Sequence, residues 1–493
     1  MVRLQNTSII TEPNPQLRCE IAVVGSGPGG AITACLLAEA GRDVLLIEEG
    51  NYLPLKSCAP FSIAEMVQKY RNGGLTLAMG APKVQYAEGH CVGGGSEVNS
   101  GLYYRTPSPI LAQWRDEFNV AALTEADLLP HFEACERDVN VCLMPGQPPA
   151  ASLKLHEGAT RLGWESHEVP RWFKYEQMDA ATTIPKGKRQ SMTETFIPRF
   201  LQAGGRLLPQ TRVNTIRQTG RQWQLKAQTQ AQGRSRPLQI QAETLFVAGG
   251  AVQTPALLRR SGIRRNIGNA LQLHPTLKVI AQFPEAINAA EMGVPVHQVK
   301  EFSPRYSFGC SISSRPYLAL GINDHPQYLS EVAKHWQQMA IYYAMVTGAG
   351  RGTVRDVPGY RDPLVRYHLT NEDMDTLAES LKKLCELLFA AGATTLYPSV
   401  MQSQPLNRLA DLAQWPERLS RQKSNLMTIH LFSSCPMGEN LQRCATDSFG
   451  KVRGFSNLYI ADASLLCTAP GVNPQGSIMA IARRNTLKFL GRL

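Results

Sequence analysis

The strongest constraint on the fold of this chain lies in residues 20–50, with the sequence EIAVVGSGPGGAITACLLAEAGRDVLLIEEG. A short apolar run ends at Gly25, and Gly25, Gly27 and Gly30 form a G-x-G-x-x-G pattern that opens an alanine-rich helix. A second apolar run that ends in acidic residues, DVLLIEE, follows the helix. This order of strand, glycine turn, helix and strand is typical of a βαβ unit that binds a dinucleotide at the helix N-terminus. The segment therefore predicts a Rossmann-like domain.

Each residue of this fingerprint has a distinct predicted role. Gly25 allows the tight turn, Gly27 lets the backbone approach a pyrophosphate, and Gly30 lets helix and strand pack closely. Glu48 ends the second strand about 20 residues further on, where its carboxylate can accept hydrogen bonds from a ribose diol. An acid at this position fits NAD or FAD and argues against NADP, because it would repel the additional phosphate. The fingerprint alone leaves NAD and FAD as alternatives.

The length and composition indicate an ordinary globular protein with more than one domain. At 493 residues the chain exceeds the size at which a single core keeps growing. No apolar run reaches the roughly 18 residues of a membrane-spanning helix, and the N-terminus lacks a signal-peptide pattern. The 11 cysteines include no C-x-x-C pair, so we predict neither a metal site nor a disulfide framework. A reduced, cytoplasmic setting is the expectation.

The charge pattern gives little indication of a macromolecular partner. The net charge of +11 is mild for this length. Basic clusters at 259–265 and near the C-terminus are interpreted as solvated faces, although they could meet an anionic substrate or a membrane surface. Basic residues are not interleaved with aromatic ones as in nucleic-acid-binding proteins. We therefore expect no nucleic acid and at most a weak peripheral contact with a membrane.

Three further segments extend the nucleotide-binding pattern. They are YAEGHCVGGGSEVNSGLYYR (86–105), TLFVAGGAVQTPALLRRSGI (244–263) and NLYIADASLLCTAPGVNPQGSIMAIARR (457–484). In the first, three consecutive glycines precede Ser96 and Asn99, so that the backbone can lie against a flat ligand. The second predicts a strand, a Gly-Gly turn and a helix that begins near Pro255. The third predicts a strand that ends at Asp462, a loop and a closing helix.

In identity and order, these segments and the fingerprint resemble the glucose–methanol–choline family of FAD-dependent oxidoreductases, over essentially the whole chain. The resemblance implies FAD rather than NAD, and it implies which residues contact each part of the cofactor. These are Gly25, Gly27 and Gly30 at the pyrophosphate, Glu48 at the adenosine ribose, Val213 at the adenine, Gly94, Ser96 and Asn99 along the isoalloxazine, Asp462 and Ala463 at the pyrophosphate and ribityl chain, and Pro474 under the pyrimidine edge of the flavin. Some members attach FAD through a histidine directly before the loop asparagine. That position is Val98 here, so non-covalent FAD is expected.

The segment TIHLFSSCPMG, residues 428–438, holds one histidine among apolar and small residues, which by itself is more typical of a core histidine. In the family, a histidine that precedes a Met-Gly pair by this spacing is catalytic, and the resemblance places that role on His430. The second catalytic position falls on Asn473. A neutral histidine suits the base that removes a hydroxyl proton. Asn473 can donate a hydrogen bond to the substrate oxygen and orient its carbon toward flavin N5.

We predict an α/β chain with two interleaved domains. Residues 1–274 and 426–493 are expected to form a discontinuous FAD-binding domain, with a small β-meander near 213–248. Residues 275–425 are expected to form a substrate domain built on an antiparallel sheet with helices. This is the least motif-rich part of the chain, as the family's variable substrate domain would be.

Two elements of the substrate domain can be predicted individually. KVIAQF (278–283) indicates a strand that enters its sheet. Thr370 and Asp373 form a capping-box pattern at the start of a helix that ends near Gly392. Its apolar face belongs to the core rather than to a membrane surface, and it carries Leu377, Leu381, Leu384 and Leu388.

The predicted reaction is oxidation of an alcohol to an aldehyde or ketone by hydride transfer to flavin N5. The apolar and aromatic residues of 303–321 favour a lipophilic or aromatic alcohol, with oxygen or another compound as electron acceptor. Alternatives are a redox-neutral or light-driven reaction on the same scaffold, such as a lyase or decarboxylase. A non-catalytic flavoprotein partner in a biosynthetic complex is a further alternative, and retention of His430 and Asn473 counts against it.

Overall fold

The computed structural model describes residues 8–176, 185–231, 233–290 and 293–493. Two large sheets organise this part of the chain, one mainly parallel and one mainly antiparallel. Each sheet is associated with its own extensive hydrophobic core. The predicted combination of a Rossmann-like domain with an antiparallel sheet and helices is confirmed.

The first sheet, here called the parallel sheet, has a parallel centre. In spatial order its parallel strands are Leu458–Ile460, Arg234–Val247, Gln16–Val24, Val44–Ile47 and Arg206–Leu208. Val44–Ile47, with the sequence VLLI, is buried at every position, as expected of a strand that is covered on both faces. The helix Pro28–Glu39 packs against the helices Phe196–Gln202 and Gln475–Phe489.

The predicted β-meander extends this sheet on one side. Its antiparallel strands are Thr211–Thr219, Gln222–Ala231 and the first part of Arg234–Val247. Gln222–Ala231 alternates strictly between exposed and buried residues, which is the period of two that a half-buried strand requires. The meander is therefore confirmed.

The second sheet, here called the antiparallel sheet, draws strands from several parts of the chain. Its strands are Thr76–Ala78, Val84–Tyr86, Leu426–Thr428, Thr276–Gln282, Met339–Val346, Tyr306–Cys310, His297–Val299 and Ser166–Glu168, and Thr395–Pro398 pairs with Thr276–Gln282. The predicted strand at 278–283 is thus present as Thr276–Gln282. Strands from before residue 275 also join this sheet, and the predicted domain boundaries stay a prediction.

The predicted amphipathic helix is present as Asn371–Ala390. Its N-cap Thr370 accepts a hydrogen bond from the backbone N–H of Asp373, whose carboxylate accepts the N–H of Thr370 in return. Gly392, just beyond the helix, adopts a positive φ of 93°, as glycine does after a helix C-terminus. The four leucines of its apolar face are all buried, and the helix packs on the antiparallel sheet and the helix Ala150–Leu162.

The helix predicted to begin near Pro255 begins instead at Gly250 and runs to Arg260. Pro255 therefore lies in the helix interior, where its missing N–H leaves the carbonyl of Ala251 without its usual partner. The hydroxyl of Ser434 donates a hydrogen bond to that carbonyl at 2.7 Å. A side chain from a distant segment thus replaces the backbone donor, which the local sequence does not reveal.

Smaller elements connect the two sheets. The further helices are Ile63–Lys69, Ser108–Phe118, Glu125–Asp138, Arg315–Gly321 and Leu329–His335, and the further strands are Val141–Cys142, Arg171–Tyr175, Gly187–Arg189, Gln272–Leu273, Arg351–Arg355, Leu364–His368 and Leu431–Phe432. Among the described residues, no helix combines the length and apolar character needed to cross a membrane.

Candidate cofactor and active site

A cavity of about 280 Å³ opens where the parallel strands end. The parallel register aligns Val24 with Ile47 and Val247, and Val247 with Ile460, so that the segments following these strands meet at one edge. Predicted site residues from the whole chain therefore converge on this cavity. Those that line it are Gly25, Gly27, Glu48, Gly94, Asn99, Val213, His430, Asp462, Ala463, Asn473 and Pro474.

Gly30 and Ser96 lie outside the cavity lining, and the cofactor contacts that the resemblance implies for them stay predictions. A Cβ at Gly30 would lie 2.0 Å from the carbonyl oxygen of Gly25, so this glycine permits close packing of helix and turn. The hydroxyl of Ser96 donates to the carbonyl of Gly93 at 2.8 Å and accepts the N–H of Met192 at 3.0 Å. Through these two hydrogen bonds, Ser96 connects the glycine-rich loop to the segment that contains Met192.

The glycine turn provides a surface that fits a pyrophosphate. Gly25 adopts a φ of 107°, and a Cβ there would lie 2.2 Å from the carbonyl oxygen of Ala248. A Cβ added at Gly27, in contrast, meets no atom of the described residues within 4 Å. Gly27 lines the cavity and caps the helix Pro28–Glu39, whose N-terminus the described structure leaves without a side-chain cap. The first-turn N–H groups therefore suit an anion.

Glu48 is held in place by neighbours of the same turn. Its Oε2 accepts hydrogen bonds from the backbone N–H and the hydroxyl of Ser26, at 3.0 and 2.7 Å, and its Oε1 accepts the N–H of Gly50 at 2.9 Å. A carboxylate oxygen has two lone pairs, so Oε1 keeps one for a ribose hydroxyl. Ser26 also accepts the N–H of Gly93 at 3.0 Å, which ties the fingerprint turn to the glycine-rich loop. Ser26 is a site residue that sequence reasoning missed.

The carboxylate of Asp462 is fully occupied by protein donors. One oxygen accepts the N–H and hydroxyl of Ser464, and the other accepts the N–H of Gly250 and the hydroxyl of Thr254. Because all four acceptor positions are used, the carboxylate joins the C-terminal strand to the helix Gly250–Arg260 and leaves cofactor contact to the backbone. Burial raises the pKa of Asp462, and these hydrogen bonds oppose that effect.

Asn99 connects the glycine-rich loop to the closing helix. Its side-chain amide donates to Oε1 of Gln475 at 2.8 Å, and its Oδ1 accepts the N–H of Gly101 at 3.1 Å. The preceding residue, Val98, lines the cavity, and its carbonyl accepts the hydroxyl of Tyr70 at 2.9 Å. These contacts hold the loop against the cavity.

His430 and Asn473 meet in the cavity although 43 residues separate them in the chain. Nε2 of His430 lies 3.5 Å from Nδ2 of Asn473. Burial lowers the pKa of His430 to about 3, and the positive charge of Lys300 adds to this effect. The imidazole is therefore neutral at pH 7, as a group that exchanges hydrogen bonds with a substrate oxygen requires.

Two further residues, missed by sequence reasoning, hold this pair. Gln298 donates from Nε2 to Oδ1 of Asn473 at 3.3 Å and to the hydroxyl of Tyr343 at 3.0 Å. His274, which is fully buried, places Nδ1 3.1 Å from Nδ1 of His430. Neither residue lies in a motif, and no spacing in the sequence links them to His430.

Comparison with known proteins places this site in a family. The GMC oxidoreductase model matches residues 66–276 with its N-terminal part and residues 349–482 with its C-terminal part, and an NAD(P)-binding Rossmann-like model matches residues 23–55. The GMC-type oxidoreductase y4nJ of Sinorhizobium fredii is 38% identical over 478 residues, or 95% of this chain and 94% of the relative.

More distant proteins share the same architecture. The long-chain-alcohol oxidase FAO4A of Arabidopsis thaliana is 28% identical over 97% of this chain and 69% of its own length. The crystal structure of pyridoxine 4-oxidase from Mesorbium loti superposes with a TM-score of 0.71, covering 96% of this chain and 99% of its own, and at 18% identity it shows the fold alone. The glycine cradle, the uncapped helix and the free lone pair of Glu48 fit the FAD that this family uses. The chain therefore belongs to the GMC oxidoreductase family and is a FAD-dependent enzyme.

Proposed function

We propose that this enzyme oxidises an alcohol at its CH–OH group to an aldehyde or ketone. The observation that carries the proposal is the His430–Asn473 pair, two nitrogens 3.5 Å apart in the cavity that fits FAD. Bound FAD supplies the hydride acceptor for such a reaction. The two side chains act on the substrate oxygen, and they orient the carbon that gives up hydride.

Each member of the pair has a role that its chemistry supports. The amide of Asn473 donates a hydrogen bond to the substrate oxygen at any pH. The sequence and the family resemblance predict the role of general base for His430, and its lowered pKa supports a neutral imidazole at the site. Whether this imidazole accepts or donates a hydrogen bond at Nε2 depends on which ring nitrogen carries its proton.

The substrate class we propose is a lipophilic or aromatic alcohol. Ile429 and Leu431 flank His430, and Leu102 and Trp172 line the same cavity. Apolar walls with a few placed polar groups are typical of sites for apolar ligands. The similarity to a relative named long-chain-alcohol oxidase supports the same class.

We further propose that FAD is bound without a covalent link and is reoxidised by oxygen or another acceptor. The position directly before Asn99 holds Val98, which has no group that could form such a link. His90, the nearest histidine in sequence, lies outside the cavity lining with its Nε2 3.7 Å from a carboxylate oxygen of Glu49. Acid precipitation of the holoenzyme tests this point, because non-covalent FAD stays in the supernatant.

The experiment that tests the reaction is an anaerobic visible spectrum of the FAD-bound enzyme. We would record it before and after adding 1-dodecanol, benzyl alcohol, cholesterol or glucose. Bleaching of the flavin band by the first or second compound is expected, and readmitted air would show whether oxygen accepts the electrons. A bound flavin that no alcohol bleaches would contradict the proposal and favour a redox-neutral reaction, such as that of a lyase.

Replacement of His430 tests its part in the reaction. His430→Ala should retain FAD but slow flavin reduction by roughly 10²- to 10⁴-fold, which is the usual contribution of a side chain that acts on the reacting oxygen as a base or as a hydrogen-bond donor. His335→Ala, on the exposed helix Leu329–His335, is the matched control and should reduce at the wild-type rate. Equal rates for the two variants would remove His430 from the mechanism.

A further inference from the structure

A second histidine, His274, determines which hydrogen bond His430 can offer. We propose that His274 is a positioning residue that keeps neutral His430 in the tautomer with hydrogen on Nε2. His430 then meets the substrate oxygen as a hydrogen-bond donor. The hydrogen bond from His430 to the substrate oxygen rests on the proposed function, whereas the tautomer of His430 does not.

A backbone amide sets the tautomer of His274. The N–H of Gly471 points to Nε2 of His274 at 3.1 Å, and a backbone N–H can only donate. Nε2 of His274 is therefore the acceptor and carries no hydrogen. Burial, together with the charges of His430 and Lys300, keeps the pKa of His274 well below its usual value, so the ring is neutral. A neutral imidazole without hydrogen on Nε2 carries it on Nδ1.

The hydrogen on Nδ1 of His274 in turn sets the tautomer of His430. Nδ1 of His274 lies 3.1 Å from Nδ1 of His430, so the hydrogen on His274 is donated to Nδ1 of His430. Since His430 is also neutral, its own hydrogen is on Nε2. The opposite assignment would turn an N–H of His274 against the N–H of Gly471 in a fully buried place, and two unpaired buried donors are costly.

The resulting N–H of His430 shares one target with Asn473. Oδ1 of Asn473 accepts from Gln298, which turns its amide nitrogen toward His430. At 3.5 Å, and with hydrogen on both atoms, Nε2 of His430 and Nδ2 of Asn473 do not bond each other. Both can donate to a single oxygen placed between them. Two such donors stabilise the negative charge that grows on the substrate oxygen as its hydroxyl proton leaves.

This arrangement assigns the protons differently from the base mechanism. An Nε2 that already carries hydrogen has no lone pair for the hydroxyl proton. That proton would therefore pass to a water molecule, and bound FAD would take the hydride from the carbon, so that a neutral carbonyl product would remain. His430 keeps its hydrogen throughout and returns unchanged.

Gln272, two residues before His274, provides a matched control. Oε1 of Gln272 accepts the N–H of Ala469 at 2.7 Å, just as Nε2 of His274 accepts that of Gly471. Both residues thus hold the loop that carries Asn473. Only His274 also contacts His430, so replacing Gln272 loosens the loop without changing the tautomer.

Side-chain ¹⁵N NMR of the FAD-bound enzyme labelled at histidine tests the tautomer directly and needs no substrate. His430→Gln identifies the His430 signals by their loss. At neutral pH we expect a protonated, pyrrole-like Nε2 and a bare, pyridine-like Nδ1 for His430, and the reverse assignment for His274. A bare Nε2 on His430 would overturn the proposal, even if an alcohol reduces the flavin. If no alcohol does so, the proposed function fails while this spectrum still decides the tautomer.

Variants of His274 connect the tautomer to the reaction. His274→Phe should mix the two His430 tautomers and slow reduction by the reactive alcohol roughly 10²-fold, as removal of one transition-state donor does. His274→Asn keeps an amide donor near the Nδ1 position and should restore the wild-type ¹⁵N pattern and most of the rate. Gln272→Leu should leave the ¹⁵N pattern unchanged. A His274→Phe enzyme that retains both the ¹⁵N pattern and the rate would contradict the proposal, and if it does not fold, the wild-type and His274→Asn spectra decide.

Discussion

Gly27 and Gly29 lie two positions apart in the glycine turn, but a side chain there would meet very different surroundings. A Cβ at Gly29 would lie 1.9 Å from the carbonyl oxygen of Ala461, because the helix crosses the C-terminal strand there at close range. At Gly27 the same atom would enter the space that the cavity offers to a pyrophosphate. One glycine is thus required by the fold, and we propose that the other is required by the cofactor.

Gly27→Val should therefore fold normally and fail to hold FAD. The φ of −62° and ψ of −179° at Gly27 suit any residue, so the backbone carries no strain. We expect FAD affinity to fall by roughly 100-fold or more, about 2.7 kcal/mol, as measured by titration of the apoprotein with FAD. Gly29→Val is the contrasting variant and should lose the folded state, as seen by circular dichroism. Normal FAD affinity in Gly27→Val would contradict the assignment of this turn.

The neutral state of His430 predicts an unusual pH profile. A histidine whose pKa is lowered to about 3 gains its proton only below that pH, so it stays neutral throughout the range of about pH 5 to 8 in which an ordinary histidine titrates. Protonation of His430 should therefore not lower the rate of flavin reduction between about pH 8 and pH 5. The wild type and His430→Gln should show the same dependence of this rate on pH over that range. A limb near pH 6.5 that is present in the wild type and absent from His430→Gln would contradict the lowered pKa.

At the scale of elements, the helix Gly250–Arg260 shows how a distant segment supports local structure. Its interior proline deletes a backbone donor, and Ser434, from the segment that follows His430, supplies a hydroxyl to the carbonyl of Ala251. Asp462 accepts the N–H of Gly250 at the other side of the same first turn. This helix therefore depends on the C-terminal segments for both its donors and its acceptors.

Ser434→Ala should leave the buried carbonyl of Ala251 unpaired and lower the free energy of unfolding by about 1–3 kcal/mol. Adding Pro255→Ala restores an N–H four residues after Ala251, so the double variant should be more stable than Ser434→Ala alone. Urea denaturation of the two single variants and the double variant measures this coupling. Additive effects of the two substitutions would show that they do not serve the same carbonyl.

At the scale of the whole molecule, one carboxylate forms ion pairs with arginines from distant parts of the chain. Glu49, the second residue after the strand Val44–Ile47, pairs with Arg71 at 3.0 Å, Arg212 at 2.8 Å and Arg361 at 2.6 Å. Arg71 and Arg212 also pair with Asp362, so the network links the parallel sheet to the segment between the two strands Arg351–Arg355 and Leu364–His368. Burial raises the pKa of Glu49, but the nearby imidazole of His90 and the charges of Arg71 and Arg212 outweigh it, and the pKa lies far below its usual range.

Glu49→Gln should destabilise the enzyme by about 3–5 kcal/mol at neutral pH, since it leaves partly buried arginines without their shared partner. A lowered carboxylate pKa contributes stability above the unfolded-state pKa, here near 4.5, and that contribution is lost as the pH falls further. The difference between wild type and variant, measured by urea denaturation, should therefore shrink below about pH 4.5. Asp375→Asn, which breaks an exposed pair with Arg418, is the control and should cost at most about 1 kcal/mol.

The sequence by itself was sufficient for features that depend on neighbours along the chain. The βαβ unit was predicted from glycines at positions where a side chain would not fit. The helix Asn371–Ala390 was predicted from its capping box and leucine spacing. The meander was predicted from the alternation of apolar and polar residues. The candidate pair, His430 and Asn473, required the family resemblance in addition, because a lone histidine in an apolar segment does not indicate its role.

Only the tertiary structure decided how these residues are held. Ser434 donates to the carbonyl of Ala251 in the first turn of the helix Gly250–Arg260, the same helix supplies two of the four donors to the carboxylate of Asp462, and Ser96 lies outside the cavity lining. His274 and His430 are 156 residues apart, and their contact assigns a proton that neither local sequence specifies. The physical reason is common to all these cases. A hydrogen bond requires two atoms to lie about 3 Å apart, and for distant residues only the folded chain sets that distance.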